Sequence, residues 1–304
     1  MDRRKFIAIA GAVAARTGLA KVLPAQEPVS AKPASGPDLV AVRGGEPAQM
    51  FDLAIAAMGG IEQFVKSGNK VVVKPNIGWA RTPAEAANTN PDLIGHIVKL
   101  CLKAGAKEVK VFDNTCNEWQ QCYQLSGIEK AVIEAGGVVI PANSESYYAE
   151  IGLPSGKQLK QAMIHKAWLE ADAIINVPIL KDHGSARMTS VMKNLMGIVW
   201  DRRYYHRTDL HQCIADFATF DKKPVLNVVD AYNIMMQNGP RGTGLADVAQ
   251  KKALIMSRDM VAADVAAAAI LGVDVADIPY IAMANQLGVG ENDLKKLKIE
   301  RLSV

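Results

Sequence analysis

Four apolar, β-like runs in this chain each stop abruptly on polar residues able to bind or react, and helical patterns separate them. Val71-Val72-Val73 ends in Lys74-Pro75-Asn76, and Val109-Lys110-Val111-Phe112 ends in Asp113-Asn114-Thr115. Ile174 to Leu180 ends in Lys181-Asp182-His183, and Val225 to Val229 ends in Asp230-Ala231-Tyr232-Asn233. Strands that alternate with helices specify an α/β fold, here a mostly parallel sheet with helices on both faces. Ligands of such sheets sit outside the carboxyl ends of the strands. The four stops therefore predict one composite site.

Between the runs the apolar spacing predicts helices over 47–65, 90–104, 126–135, 159–171, 189–199, 209–220, 259–271 and 280–287. Further strands are expected at 39–42, 138–140, 252–256 and, as an edge, 297–302. Residues 143–158 are polar and are expected to run over the surface.

The first 25 residues read as a twin-arginine export signal. Arg3-Arg4-Lys5 precedes an apolar stretch, Phe6 to Ala15, about half the length of a membrane span. Residues 26–37 read as a linker and 38–304 as a single α/β domain. The signal also explains the charge. The chain carries 35 Lys and Arg against 31 Asp and Glu. Residues 1–25 hold Arg3, Arg4, Lys5, Arg16 and Lys21 against Asp2, so the remainder is formally neutral and lacks the basic footprint of a nucleic-acid binder. Expected partners are the twin-arginine export machinery, a small polar or anionic ligand and an exported redox partner.

Export leads to an oxidising compartment, where disulfides persist. Cys101 and Cys213 fall in helical patterns and read as buried thiols. Cys116 and Cys122 share one loop and are close enough in sequence for a local disulfide. Four cysteines at these spacings match no ferredoxin-type cluster motif.

The densest chemistry lies between Lys181 and His211. Lys193 and Asn194 sit inside an otherwise apolar helical pattern, so they either snorkel to solvent or point into a cleft. Arg202 to Arg207 is a compact cationic and aromatic segment suited to carboxylate or phosphate. His183, beside Lys181 and Asp182, is a candidate for proton transfer or metal ligation; His96 and His165 read as structural. Asp113 and Asp230, placed at strand ends, either cap helices or join His183 around a divalent cation. Asn238 to Gly244 is Gly-rich and could form an anion-holding concavity with Arg241. It lacks a P-loop lysine, and no nucleophile elbow appears.

Val72-Val73-Lys74-Pro75-Asn76, Asn176 to His183, Met192 to Gly197 and Leu226 to Asp230 together resemble the domain of unknown function 362 family, over about residues 38–290. The resemblance implies an exported α/β protein and brings no established reaction. Some relatives carry an added ferredoxin-like module whose cysteines this chain lacks. A fainter likeness, to the nickel-pincer lactate racemase family, makes His183 to Lys193 the counterpart of a His-to-Lys segment, with Ser185-Ala186-Arg187-Met188-Thr189 replacing its glycines.

The reading expected from these residues is an enzyme acting on a small polar or anionic substrate, with or without a metal. Lys74, Asn76, Lys181, Asn194 and Arg241 would bind the substrate. His183, Lys193 and Asp230 would carry the chemistry, and Asp113, His183 and Asp230 would hold any metal. The alternative is a non-catalytic binding or accessory subunit of an exported redox complex.

Overall fold

In the structure, a computed structural model that describes residues 36–304, ten strands share one sheet. The expected export signal, residues 1–25, and most of the expected linker lie outside the described residues. The strands are β1 (Leu39–Arg43), β2 (Lys70–Pro75), β3 (Glu108–Val111), β4 (Val138–Val139), β5 (Tyr148–Gly152), β6 (Gln161–His165), β7 (Ala173–Val177), β8 (Ile179–His183), β9 (Arg187–Thr189), β10 (Leu226–Met235), β11 (Val248–Ser257) and β12 (Ile299–Ser303). Of these, β5 and β6 form a separate antiparallel hairpin. The helices are α1 (Pro47–Ala57), α2 (Pro91–Lys103), α3 (Trp119–Leu125), α4 (Ile128–Glu134), α5 (Lys166–Glu170), α6 (Val191–Asn194), α7 (Arg203–Arg207), α8 (Leu210–Phe217), α9 (Met260–Leu271) and α10 (Pro279–Gln286).

The strand order is β12-β1-β11-β10-β7-β2-β3-β4. Pairing is parallel from β10 to β4, while β11 runs antiparallel to both of its neighbours. The fold is therefore α/β, a mostly parallel sheet with helices on both faces. Alternation along each strand sends side chains to opposite faces. Val71, Val73, Ile175 and Val228 share a core with Phe51 of α1, Ile94 of α2 and Val132 of α4. Val72, Ile174 and Val229 share another with Trp168 of α5, Ile214 of α8, Ala267 of α9 and Ile281 of α10. Among the described residues no helix is long and apolar enough to cross a membrane.

Several expected elements change where tertiary pairing overrides local pattern. Residues 143–158 contain β5, and the helix expected over 159–171 is β6 followed by the short α5. The period there fits either state, and cross-strand pairing with β5 decides it. The helix expected from Thr189 is β9, the four-residue α6 and a 3-10 turn (Leu195–Ile198). Pro178 interrupts the third apolar run, separating β7 from β8. The fourth run does not stop at Val229: β10 continues to Met235. All four cysteines are free thiols, so the local Cys116–Cys122 disulfide does not form; Cys101, Cys122 and Cys213 are buried and Cys116 is exposed.

One row of polar residues crosses the apolar sheet. The register places Lys74 of β2 opposite Asn176 of β7, Asn176 opposite Asn227 of β10, and Asn227 opposite Ser257 of β11. All four are buried, with no exposed surface. Buried polar groups must find partners, and these find one another and α6.

Candidate functional site

A cavity of about 450 Å³ opens at the carboxyl ends of β2 and β3 and along β8. It is lined by Lys74 and Asn76 from β2 and the loop beyond it, by Asp113, Thr115 and Cys116 after β3, and by Lys181 and His183 from β8. Lys193 and Asn194 of α6, Gly197, and Arg202, Arg203 and His206 at α7 also line it. Of the residues singled out in the sequence, Lys74, Asn76, Asp113, Lys181, His183, Lys193 and Asn194 share this space. Asp230 and Arg241 do not line it.

Three buried amides set the polarity of the floor. Asn227 Nδ2 donates to the carbonyls of Ser257 (3.3 Å) and Arg258 (3.4 Å), which leaves its Oδ1 to accept from Asn176 Nδ2 at 3.2 Å. Asn176 Nδ2 also donates to Val191 O, so its Oδ1 accepts from Asn194 Nδ2 at 2.9 Å. Asn194 Oδ1 is thereby turned toward Lys74 Nζ (3.1 Å) and Asn76 Nδ2 (3.2 Å). Backbone carbonyls fix each amide's orientation, a firmer assignment than an isolated amide allows. The signal in the sequence was a single Asn inside each of two apolar strands.

A count of hydrogen-bond donors separates the three lysines. Lys74 has no exposed surface and gives its three N–H groups to Pro75 O (2.7 Å), Asp113 Oδ1 (3.0 Å) and Asn194 Oδ1. An ammonium has three donors, so Lys74 has none left for a ligand and is a structural cation. Lys181 Nζ donates to Asn76 Oδ1 (3.2 Å) and to Ala87 O, leaving one N–H. Lys193 lines the cavity and makes no hydrogen bond or ion pair with any described residue, so none of its three donors is engaged by them. Burial and the cations Lys193 and Lys74 hold Lys181 down at about 7. Burial and Arg202 hold Lys193 at about 8. Desolvation and like charge both disfavour the ammonium.

Among the described residues the one carboxylate on the cavity wall is already engaged: Asp113 Oδ1 meets Lys74 and Oδ2 accepts Ile77 N–H at 2.6 Å. Gly197 is required beside this pair, because a Cβ there would lie 1.9 Å from Asp113 Oδ1 and 2.5 Å from Lys74 Nζ. Arg202 donates to Asn114 O and Thr115 O (2.7 Å), which orients it and leaves guanidinium N–H groups free.

His183, expected from the sequence to transfer protons or ligate a metal, lines the cavity. Its Nδ1 accepts Ala186 N–H (3.2 Å) and contacts Ser185 Oγ (3.3 Å), placing its proton on Nε2. Burial, then Lys193 and Lys181, hold its pKa down at about 2. It is a neutral imidazole offering one N–H.

Asp230 departs from expectation because β10 runs on through it. Strand alternation turns it to the face opposite Asn227, where it accepts Asn90 N–H (2.7 Å) at the start of α2 and Tyr232 N–H (3.1 Å). Burial raises it to about 6. The set Asp113, His183 and Asp230 is therefore not assembled, and among the described residues no group of three or more His, Cys, Asp or Glu is placed to hold a metal ion. Arg241 is exposed. The Gly-rich loop around it encloses the protein's own anion: Asp247 accepts Thr243 N–H (2.6 Å), Thr243 Oγ1 (2.8 Å), Asn238 Nδ2 (2.6 Å) and Gln237 Nε2 (3.1 Å). These bonds hold the Asp247 carboxyl below its usual range.

α6 is too short to hold itself. Asp264 of α9, fully buried, accepts the N–H groups of Val191 (2.7 Å) and Met192 (3.1 Å) and so aims Lys193 and Asn194. Asp264→Ala should cost about 2 kcal/mol by leaving two buried donors unpaired. Urea unfolding checks this; a loss under about 0.5 kcal/mol would show that α6 does not depend on Asp264.

A thylakoid-associated protein of Synechocystis sp. is 25% identical over 246 residues, covering 76% of this chain and 72% of its own length. Among solved structures, the lactate racemase apoprotein of Thermoanaerobacterium thermosaccharolyticum matches 70% of this chain at 15% identity with a TM-score of 0.43. A Thermotoga maritima protein matches 80% at 11% identity with a TM-score of 0.47. The chain spans 53% and 60% of the lengths of those two structures. The model of one family, described as a domain of unknown function, matches residues 71–269, which takes in β2 through most of α9 and every residue named above as lining the cavity. On that match the chain belongs to the family DUF362.

Proposed function

We propose that the protein is an enzyme that binds a small anion in this cavity and acts on it through Lys193. The observation that carries this reading is the charge of the wall: among the described residues, five Lys and Arg side chains against one carboxylate, which Lys74 already neutralises. Lys193, Lys181, Arg202, Arg203 and the Nε2–H of His183 remain as donors. A cleft lined by one sign of charge concentrates ligands of the other. Near neutral pH Lys193 also exchanges between ammonium and amine, which suits a proton-transferring group.

The sign of the pH dependence follows. Positive charge is complete below about 7 and is lost as Lys181 (about 7) and then Lys193 (about 8) deprotonate, so anion affinity should fall as pH rises through 7 to 8. A bound anion favours the ammonium, so binding at pH near 8 should take up protons. Calorimetry with malonate or inorganic phosphate in buffers of different ionisation heat measures both effects. Affinity independent of salt and pH, or no binding at low salt, would remove the reading.

We also propose that residues 1–25 direct twin-arginine export, supported by Arg3-Arg4 and the apolar stretch after them. The thylakoid association of the Synechocystis relative is consistent with a location at a membrane. Replacing Arg3 and Arg4 by Lys should retain the protein in the cytoplasmic fraction; unchanged fractionation would refute the route.

A further inference from the structure

Lys193 differs from its neighbours in having no protein partner. Lys74 has all three donors engaged and Lys181 two, whereas Lys193 projects from a one-turn helix into a cavity that Arg202 and Lys181 also line. A lysine held there only to balance charge would find a carboxylate, and Asp113 faces Lys74 instead. An amine beside other cations, as here, is a nucleophile at neutral pH. The electrophile that condenses reversibly with an amine is a carbonyl, and the surrounding cations select a carbonyl compound that is also an anion.

We propose that Lys193 forms an imine with a small oxo acid. This rests on the anion-binding reading above. The Lys193 nitrogen bonds to the carbonyl carbon while the C=O π pair moves to oxygen. That oxygen takes a proton from the Lys181 ammonium, and the new N–C ammonium returns one to the Lys181 amine, giving a neutral carbinolamine. The hydroxyl then leaves as water with a proton from the Lys181 ammonium as the nitrogen lone pair forms the C=N bond. The products are a protonated imine, water and neutral Lys181. Burial and Arg202 keep a fraction of Lys193 as free amine, and Arg202 with the Nε2–H of His183 is left to hold the substrate carboxylate.

The test incubates the full chain with pyruvate and sodium cyanoborohydride, followed by peptide mass mapping. The expected result is one reduced adduct at Lys193, formed on the order of a hundredfold faster than at an exposed lysine such as Lys99, because each unit of pKa is a tenfold change in free amine. Lys193→Arg should abolish that adduct, and its thermal melt controls for folding. Adducts spread over surface lysines, or none at Lys193 although malonate binds, overturn the imine and leave the anion site standing. Failure of both malonate and pyruvate to bind overturns the anion site, and the imine with it.

Discussion

Replacing Asp113 by Ala should destabilise the protein by about 3–5 kcal/mol, the cost of leaving one partner of a buried ion pair uncompensated. Lys74 has no exposed surface and Asp113 is 3% exposed, so neither can turn to water. The substitution also strips Ile77 N–H of its acceptor. Removing both charges together, as Lys74→Met with Asp113→Leu, should recover most of the loss, since buried pairs seldom stabilise relative to apolar replacements of similar volume. Chemical denaturation of Lys74→Met, Asp113→Leu and the double variant closes the cycle, with Asp113→Ala measured alongside. If Asp113→Ala loses less than about 1 kcal/mol, Lys74 has found another counter-charge and the donor count for the floor is wrong.

Lys193→Ala is expected to do the opposite. With no hydrogen bond or ion pair to lose, its unfolding free energy should stay within about 0.5 kcal/mol of the parent. Anion affinity should fall roughly ten- to a hundredfold, the range for a charge-assisted hydrogen bond removed from a partly desolvated site. His183→Ala separates less cleanly, because Nδ1 accepts Ala186 N–H and its removal disturbs the turn between β8 and β9. Titration calorimetry alongside a melt distinguishes binding from folding for both variants. Undiminished affinity in Lys193→Ala would place the anion site elsewhere.

The contrast between Lys74 and Lys193 shows where sequence reading stopped. Both are lysines embedded in apolar pattern, and pattern alone treats them alike. Lys74 is structural because the register of β2, β7 and β10 sets it in a row with Asn176 and Asn227, and because Asp113 emerges from the neighbouring strand β3. Lys193 is available because Asp264, seventy-one positions away, pins the turn that carries it. The expected end of β10 at Val229 failed for a related reason. A strand's length is set by the partner it pairs with, here β11, and that pairing extends to Met235. Held within the strand, Asp230 keeps the face that alternation gives it, opposite Asn227, and stays out of the cavity.

What the amino-acid order determined without further help was the α/β class, the alternation of strand and helix, and the rim on which polar residues gather. These follow from local hydrophobic periodicity, and the rim follows from the rule that parallel strands point their carboxyl ends one way. Tertiary structure alone decided which of those polar groups neutralise one another and which stay open to a ligand. Hydrogen bonds between residues some 40 to 120 positions apart carry no local signature, and a buried donor is assigned only when every nearby acceptor is in place.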